Sequence, residues 1–374
     1  MPRSRTGVGT YTWNIVRRLP WMDSRTTYVA WYLDVRGVVG RGPRLFGDLD
    51  APNLIDRRMP LPSRWFDRFA LRFDLPKLEW MLRFDVLFAP NFVPPPTRAS
   101  KLVLTVHDLA FRRFPHTAPS ATLRWLSRLD TALGRAAEVI VVSEQSRRDL
   151  LELYHVAQER VSVVPLGVDT EQFRPAPEAD VTAVRRRFGI DGPYLLSLTG
   201  IEPRKNIPTI VRAWASLADD VRPALVLAGP SAPWNPEGWN LVRPALDKLA
   251  PRTRARVVVT GYVSEGDKVA LLSGAEGLVY PSLYEGFGLP VIEAMACGTP
   301  VLTSDLSALP ETAGDAALLV DPHRTDAVAD GMLRLLTDDP LRTRLRSAGE
   351  ARARLFNWDE AARRTAEVLH RARG

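Results

Sequence analysis

Short apolar runs rich in β-branched residues recur along the chain and alternate with segments of helical periodicity. Eleven runs are predicted to be strands: residues 28–33, 85–89, 102–106, 139–142 and 161–164, followed by 194–198, 224–228, 256–260, 277–280, 301–303 and 317–320. Strands that alternate with helices are typical of βαβ units and parallel sheets. The two series therefore predict an α/β protein with two Rossmann-like domains.

The boundary between the two series is a proline-containing stretch without periodicity, FRPAPEAD, at residues 173–180. Such a stretch is typical of a connection, and we predict a linker near residues 170–180. The N-terminal domain then covers residues 1–172 and the C-terminal domain residues 173–357. A last helix is predicted at residues 358–371. Its apolar positions recur on one face, so we expect residues 358–374 to pack back on the N-terminal domain.

Composition places few constraints beyond a soluble globular class. Apolar residues make up 45% and charged residues 25% of the 374 residues, which is enough to form a core. Cys297 is the single cysteine and the five histidines are scattered, so neither an internal disulfide nor a structural zinc site is predicted. No apolar run reaches the roughly 18 residues of a membrane span, and the start lacks the apolar segment of a secretory signal. A cytoplasmic location is expected.

The net charge of +7 is unevenly distributed. The first 174 residues hold 26 Lys+Arg and 18 Asp+Glu, whereas the remaining 200 hold 24 and 25. Residues 57–84 combine seven basic residues with six aromatic ones. This stretch either docks peripherally on an anionic membrane, at the inner face of the cell membrane, or is an ordinary helix whose aromatic side chains face the core. High arginine usage in a GC-rich genome is the other interpretation of the charge.

The most informative segment is residues 280–303, YPSLYEGFGLPVIEAMACGTPVLT. Gly288 lets the backbone approach a ligand closely, and Pro290 suits the first turn of a helix. The free N–H groups at the start of this helix form an anion site that suits a diphosphate. Glu285 in the loop and Glu293 in the helix are two carboxylates that can face the same ligand.

This segment resembles the E-x7-E motif of retaining glycosyltransferase family 4, which has the GT-B fold. The resemblance covers essentially the whole chain, through TGVGTY, TVHDLAFRRFP, VVSEQSRRDL, VVPLGVD, GIEPRKN, VVVTGYVSEGDKVALL and FNWDEAARRT in family order. It implies two Rossmann-like domains facing across a cleft. The C-terminal domain would hold a nucleotide sugar and the basic N-terminal domain would receive the acceptor. The subgroup resembles the mannosyl- and rhamnosyltransferases.

The resemblance also implies roles for the residues of the motif. Glu285 would bind hydroxyls of the donor sugar, and Glu293 would bind the ribose hydroxyls, since a carboxylate offers two acceptor oxygens to a vicinal diol. The backbone at Phe287, Gly288 and Leu289 would contact the sugar and the diphosphate.

Three further groups are implied outside the motif. Arg204 and Lys205 of GIEPRKN would neutralise the phosphates and the charge that develops on the leaving group, although adjacent basic residues alone are usually a solvated face. Some relatives carry another arginine near the position of Thr199, which this sequence lacks. His107 follows a predicted strand, where open α/β sheets bind ligands, and would bond the donor sugar. Ser143 is interpreted as a plain helix N-cap.

Two glycine-containing loops complete the implied site. Gly7 and Gly9 resemble the glycine-rich loop after the first strand of the N-terminal domain, and Gly261 with Tyr262 would contact the nucleobase. The family has a strand before the first of these loops, but here only MPRSRT precedes it. We therefore expect that a first strand, on the order of ten residues, is missing from the start of the chain.

The sequence thus predicts a bacterial polysaccharide-forming hexosyltransferase that uses a nucleotide sugar, with GDP-mannose expected first. Transfer to a hydroxyl of a glycan or lipid-linked acceptor would retain configuration and need neither cofactor nor metal. A sugar-nucleotide epimerase or a phosphorylase of the same fold is the alternative enzyme. A basic nucleic-acid-binding protein is the alternative from another class, though nucleic acid is not the partner we expect. A nicotinamide dehydrogenase is disfavoured because no GxGxxG follows a strand at the expected place.

Overall fold

The computed structural model of the chain describes residues 7–33, 45–46, 49–59, 73–115, 123, 126–229 and 238–374. The chain divides into two compact units. The first comprises residues 1–109, 120–167 and 358–374, and the second comprises residues 110–119 and 168–357. Each described sheet is parallel, and helices connect many of its strands, as the alternating pattern predicts.

The first unit contains two parallel sheets in the described residues. β1 (Tyr28–Leu33) pairs with β2 (Leu54–Met59), and the other sheet has the order β3 (Leu87–Ala89), β4 (Leu102–Val106), β5 (Glu138–Val141) and β6 (Val161–Val163). β4 is buried along its whole length, which explains its continuous apolar run. Helix α1 spans Gly7–Met22. The helices near these strands are α2 (Ala110–Arg113), which falls in the second unit, α3 (Leu129–Arg135) and α4 (Glu144–Leu153).

The second unit is built on a parallel sheet with the strand order β12-β11-β10-β7-β8-β9. The strands are β7 (Tyr194–Leu198), β8 (Ala224–Ala228), β9 (Val257–Gly261), β10 (Gly277–Tyr280), β11 (Val301–Ser304) and β12 (Leu318–Val320). The helices are α5 (Glu178–Phe188), α6 (Ile207–Ala215), α7 (Trp239–Asp247), α8 (Pro251–Arg254), α9 (Glu265–Ser273), α10 (Leu289–Ala296), α11 (Leu309–Ala313), α12 (Thr325–Thr337) and α13 (Asp339–Ala353). The fully buried Trp214 of α6 belongs to the core against this sheet.

The order of strands in the second sheet reverses between β7 and β10. The chain runs from β7 outward through β8 to β9, then returns to lay β10 on the other side of β7. The loops that follow β7 and β10 therefore leave the sheet beside each other at the carboxyl edge. Open α/β sheets bind ligands at such a switch point.

The last helix, α14 (Trp358–Arg373), lies in the first unit and packs on α1. The ring centroid of Trp358 lies 6.5 Å from that of Tyr11, and the Arg18 Nε donates to Asp359 Oδ1 at 2.6 Å. The amphipathic pattern of this segment predicted a helix with one buried face, and Ala361, Ala362 and other residues of that face are buried.

All eleven predicted strands are present, with ends within two residues of those expected. β2 was not predicted, because Asp56, Arg57 and Arg58 interrupt its apolar pattern and it is only half-buried. Gly7 and Gly9, expected in a loop, lie instead in the first turns of α1. Residues 1–6 and residues 60–72 of the basic aromatic stretch at 57–84 fall outside the described residues, so the missing first strand and the membrane docking of that stretch stay predictions. No helix in the part of the chain described here is long and apolar enough to cross a membrane.

Candidate active site

The loop after β7 carries Arg204 and Lys205 on a single turn of 3₁₀ helix. This turn ends at Asn206, whose backbone is left-handed with φ +59°, a conformation that asparagine adopts more readily than most residues. The Asn206 amide donates to the carbonyls of Pro281 at 3.2 Å and Pro322 at 2.8 Å. It thereby fixes the cationic turn to the loops that follow β10 and β12.

Glu285, in the loop after β10, is held by both cations. Lys205 Nζ donates to Glu285 Oε1 at 2.5 Å, and Arg204 Nη1 donates to Glu285 Oε2 at 2.8 Å. The Tyr280 hydroxyl accepts from Lys205 Nζ at 2.7 Å and donates to Glu285 Oε1 at 2.8 Å. Arg204 Nε donates to Glu202 Oε2 at 2.9 Å. These residues, Glu202, Arg204, Lys205, Tyr280 and Glu285, form a charge-neutral group that we call the Glu285 cluster.

Electrostatics fix the charge states in the Glu285 cluster. Burial opposes ionisation of Glu285, but the adjacent Arg204 and Lys205 outweigh it and lower the pKa of the carboxyl to about 2. Burial and the neighbouring Arg204 lower the pKa of Lys205, which Glu285 offsets only in part. The pKa of Tyr280 is raised well above its usual value, by burial first and then by Glu285. Glu285 is therefore a fixed anion at neutral pH.

The loop from Glu285 into α10 is held tightly by its own backbone and by its neighbours. The Glu285 N–H donates to Ser307 Oγ at 3.1 Å, and this hydroxyl donates to the Glu285 carbonyl at 2.6 Å. Gly288 directly precedes α10 with φ +102°, and a Cβ there would lie 2.7 Å from Leu309 Cδ2. Only glycine fits this position. The Phe287 ring is buried against Phe356, and the Phe287 carbonyl accepts from the Thr312 hydroxyl at 2.5 Å.

Glu293 lies on α10, one turn after Leu289, and has a different cationic partner. Lys268 Nζ of α9 donates to Glu293 Oε1 at 3.1 Å and also lies 3.0 Å from Glu265 Oε2. Burial raises the pKa of Glu293, and Lys268 offsets this effect only in part. The pKa of Lys268 is raised, because Glu293 and Glu265 outweigh its burial.

The ends of β8 and β9 bring further backbone to the same edge of the sheet. The Gly229 N–H donates to the Gly261 carbonyl at 2.8 Å. Gly229 has φ +139°, and a Cβ there would lie 1.9 Å from the Thr199 carbonyl oxygen, so this close approach requires glycine. Gly261 also has positive φ, and the following Tyr262 is 49% exposed.

In the first unit, His107 directly follows β4 and is buried. Its Nε2 lies 2.9 Å from the Pro90 carbonyl oxygen, which can only accept, so Nε2 carries a proton. Burial lowers the pKa of His107 despite this bond, so the ring is neutral and Nδ1 is an acceptor. Tyr11 packs edge-on at 4.8 Å between centroids and Phe92 at 5.7 Å. Ser143, expected as an N-cap, is confirmed as one, because its hydroxyl accepts from the Ser146 N–H.

The structure brings together some of the expected site residues and adds others. Arg204, Lys205 and Glu285 meet in one cluster, whereas Glu293 pairs with Lys268. Gly261, Tyr262 and the 287–289 backbone lie at strand or helix ends of the same unit, and His107, Gly7 and Gly9 belong to the first unit. The sequence analysis missed Tyr280, Lys268, Asn206, Ser307 and Gly229. Among the described residues, no three His, Cys, Asp or Glu side chains are grouped to hold a metal ion.

Comparison with known families defines the class of protein. Residues 5–172 match the family described as Glycosyltransferase Family 4, and residues 181–352 match Glycosyl transferases group 1. The chain therefore belongs to the glycosyltransferases of these two matching families, and its two-domain α/β fold with parallel sheets is that of GT-B glycosyltransferases.

Two of the proteins that this chain resembles are described as mannosyltransferases. The chain is 32% identical over 293 residues to O-antigen chain mannosyltransferase B of Escherichia coli, covering 76% of this chain and 75% of that protein. It is 29% identical over 231 residues to the serotype-specific mannosyltransferase WbdA of E. coli, but this match spans only 28% of WbdA and 61% of this chain.

A third relative and a solved structure carry other names. The D-inositol 3-phosphate glycosyltransferase of Xylanimonas cellulosilytica is 33% identical over 283 residues, or 72% of this chain and 66% of that protein. The crystal structure of Anabaena Alr3699/HepE in complex with UDP and glucose superposes with a TM-score of 0.71 at 17% identity, covering 99% of this chain and 97% of that one. At that identity the match concerns the fold.

Proposed function

We propose that this glycosyltransferase moves mannose from GDP-mannose to a hydroxyl of a growing polysaccharide or lipid-linked glycan, with retained configuration. The observation that carries the proposal is the Glu285 cluster at the strand-order switch point. Two relatives described as mannosyltransferases favour mannose, and the name of one of them favours an O-antigen-like glycan acceptor. The D-inositol 3-phosphate relative makes a small phosphorylated acceptor the alternative.

Donor capture is assigned to the carboxyl edge of the second sheet. Glu285 is anionic at neutral pH and is an acceptor for sugar hydroxyls, while Arg204 and Lys205 supply positive charge beside it. The N-terminus of α10, which follows Gly288, is the proposed site for the diphosphate, because the positive end of a helix favours an anion. Glu293 is the proposed acceptor for the ribose hydroxyls, and Gly261 with Tyr262 the proposed contact for the base.

The proposed reaction needs leaving-group stabilisation more than it needs a nucleophilic side chain. The bond between the sugar C1 and the diphosphate oxygen breaks, and its electron pair goes to that oxygen. Lys205, Arg204 and the start of α10 stabilise the charge there. The acceptor oxygen then bonds to C1 on the same face, and its proton passes to the departing phosphate. These cations supply the charge that a metal supplies in other transferases, so we expect activity in EDTA.

His107 is the proposed sugar contact of the first unit. Its protonated Nε2 is occupied by Pro90, and its neutral ring leaves Nδ1 to accept from a hydroxyl. Replacement by alanine also removes packing against Tyr11, so His107→Asn is the more informative change.

A donor screen tests the proposal. The purified chain is incubated with GDP-mannose, UDP-glucose and other nucleotide sugars plus glycan acceptors, and released nucleoside diphosphate and extended glycan are measured. We expect GDP release to exceed that from other donors and to require acceptor. Product from donor alone that is an isomerised nucleotide sugar indicates an epimerase and contradicts the proposal.

The matched control for the cluster is Glu360→Gln. Glu360 on α14 also pairs with two arginines, Arg363 and Arg364, which lower its pKa to about 2, but it is exposed and belongs to the first unit. Transfer that persists in Glu285→Gln at the level of Glu360→Gln contradicts the role of the Glu285 cluster.

A further inference from the structure

Lys268 lies on α9, within the segment VVVTGYVSEGDKVALL, where the sequence analysis gave it no role of its own, yet it reaches Glu293. Both side chains are largely buried, at 16% and 9% exposure. Lys268 Nζ is held by Glu293 Oε1 at 3.1 Å, by Glu265 Oε2 at 3.0 Å and by the face of the Phe173 ring at 4.6 Å from its centroid. A lysine constrained in this way has little freedom to serve as a mobile surface charge.

The geometry leaves one oxygen of Glu293 available. Within the described residues, Oε1 accepts from Lys268, while Oε2 accepts no hydrogen bond from the protein. The Glu293 backbone is fixed in α10, and its carbonyl accepts from the Cys297 N–H at 3.1 Å. Lys268 thus orients the carboxylate through Oε1. Oε2 is left to accept a hydrogen bond from a hydroxyl of a ligand.

We propose that Lys268 is a positioning residue that fixes one oxygen of Glu293 and so orients the other to accept from a ribose hydroxyl of the bound nucleoside diphosphate. This inference rests on the proposed function, because it takes Glu293 to be the ribose contact. It makes Lys268, which acts on the ribose only through Glu293, a determinant of selectivity for ribonucleotides over deoxyribonucleotides.

The charges around Glu293 support the same assignment. The titratable groups that face it are Lys268 and Glu265 from α9 and Cys297 one turn along α10. Burial raises the pKa of Glu293, Glu265 acts in the same direction, and only Lys268 opposes them. Without Lys268 the carboxyl would take up a proton at higher pH, and a protonated carboxyl is a poorer acceptor for a diol.

A purely structural ion pair is the competing explanation. Buried ion pairs contribute little net stability compared with apolar side chains of the same size, although breaking one is costly. A structural pair predicts that its loss weakens binding of every nucleotide equally. A positioning role predicts that only the part of affinity owed to the ribose hydroxyl is lost.

The test measures binding of four probes by calorimetry: GDP, UDP and the 2′-deoxy form of each. For the wild-type chain we expect the tighter ribonucleotide to bind about tenfold more strongly than its deoxy form, as one charged hydrogen bond provides. In Lys268→Met this preference should fall below about twofold, and affinity for the deoxy probe should change little. Glu293→Gln should lose the preference similarly, whereas Glu265→Gln, which removes only the exposed partner, should keep it.

The pH profile provides a readout that a structural role does not move. In Lys268→Met, ribonucleotide affinity should rise with pH as Glu293 ionises, whereas that of the wild type should be flat over the same range. Lys268→Gln keeps a polar donor and serves if the methionine variant melts early; it should show the same pH dependence.

Three results decide the matter. Equal weakening of ribo and deoxy probes, or a flat pH profile in both Lys268 variants, overturns the role of Lys268 while the proposed function stands. A wild-type chain that binds none of the four probes overturns both. Loss of the ribo preference with a new pH dependence supports the inference.

Discussion

Glu285 and Glu293 belong to one short segment of the second unit, yet their surroundings differ sharply. Glu285 is held by two cations and a phenol, and its pKa falls to about 2. Glu293 has one lysine, which it shares with Glu265, and its pKa rises. The same side chain is therefore a fixed anion in the loop and a marginally stabilised anion on the helix. The difference lies in the number of cations that reach each carboxylate, not in burial, since both are buried.

The pKa values of the lysines that pair with these two carboxylates also shift in opposite directions. Lys205 has a lowered pKa, because burial and the adjacent Arg204 outweigh Glu285 and Glu202, whereas Lys268 has a raised pKa, because Glu293 and Glu265 outweigh its burial and no cation is among the main causes of its shift in the described part of the chain. We infer that Arg204 and Lys205 of the Glu285 cluster can exchange their ion pairs with Glu285 for ion pairs with an incoming diphosphate. The Lys268–Glu293 pair is arranged to keep its charges in place.

The largest effect is expected from Glu285→Gln. Two buried cations lose their anion, and a proposed sugar contact is lost, so kcat should fall about 10²- to 10³-fold. Breaking a buried pair also costs about 3–5 kcal/mol of folding free energy, less whatever Glu202 restores. Initial rates and thermal melting measure the two effects, with Glu360→Gln as control. If the rate of Glu285→Gln lay within threefold of the rate of Glu360→Gln, the role assigned to Glu285, as distinct from Glu293, would be contradicted.

Lys205→Met should be the next most severe change. It removes charge from the leaving group and leaves Glu285 with Arg204 alone, so kcat should fall about 10²-fold. Lys268→Met is the matched comparison, because it removes a largely buried lysine from the other carboxylate. We expect it to act on donor KM instead of kcat. Steady-state kinetics of both variants decide this, and equal effects on kcat would remove the distinction.

The pH dependence separates the two lysines further. A lysine with a lowered pKa loses its charge as pH rises through that value, so diphosphate binding should weaken at alkaline pH, below the usual lysine value of about 10.4. Glu285 contributes no acid limb between pH 5 and 8, since its pKa is about 2. Lys205→Arg should move the alkaline limb upward. Calorimetry of GDP from pH 6 to 10 tests this, and identical limbs in both proteins would refute it.

Tyr280→Phe should give the smallest effect of the series. It removes a hydroxyl that bridges Lys205 and Glu285 but leaves their direct bond intact. Both hydrogen bonds of this hydroxyl are to charged groups, and the lower end of the range for such a bond, about 1.5 kcal/mol, corresponds to roughly tenfold in rate. A loss as large as that of Lys205→Met would mean that the phenol has a chemical role beyond bridging.

The strands and the two motif segments were predictable because each depends on local pattern. Alternating β-branched runs identify β7 and β10, and EGFGLP predicts a helix that starts at Pro290, whereas α10 begins one residue earlier, at Leu289, directly after Gly288. The direct bond between Lys205 and Glu285 was not predicted, because the resemblance implied only that both residues serve the donor, and the bond requires β10 to return beside β7 after 80 residues.

Other contacts had no readable signal. Lys268 falls in the family-like segment VVVTGYVSEGDKVALL, but nothing in that segment indicates that it reaches Glu293, because the contact depends on how α9 and α10 pack. Gly229 is required by the Thr199 carbonyl of another strand end. Asn206 was visible in PRKN, but its left-handed backbone and its bonds to Pro281 and Pro322 appear only in three dimensions. These contacts depend on packing between segments that are distant in sequence, and a local sequence pattern does not reveal them.

The most direct test compares GDP and GDP-mannose binding by calorimetry in the wild type and Glu285→Gln. The account predicts that the variant binds GDP at least as tightly as the wild type, because Arg204 and Lys205 are released for the diphosphate. It should lose the additional affinity that the sugar confers on GDP-mannose. Equal weakening of GDP and GDP-mannose would contradict the assignment of Glu285 to the sugar and of its two cations to the diphosphate.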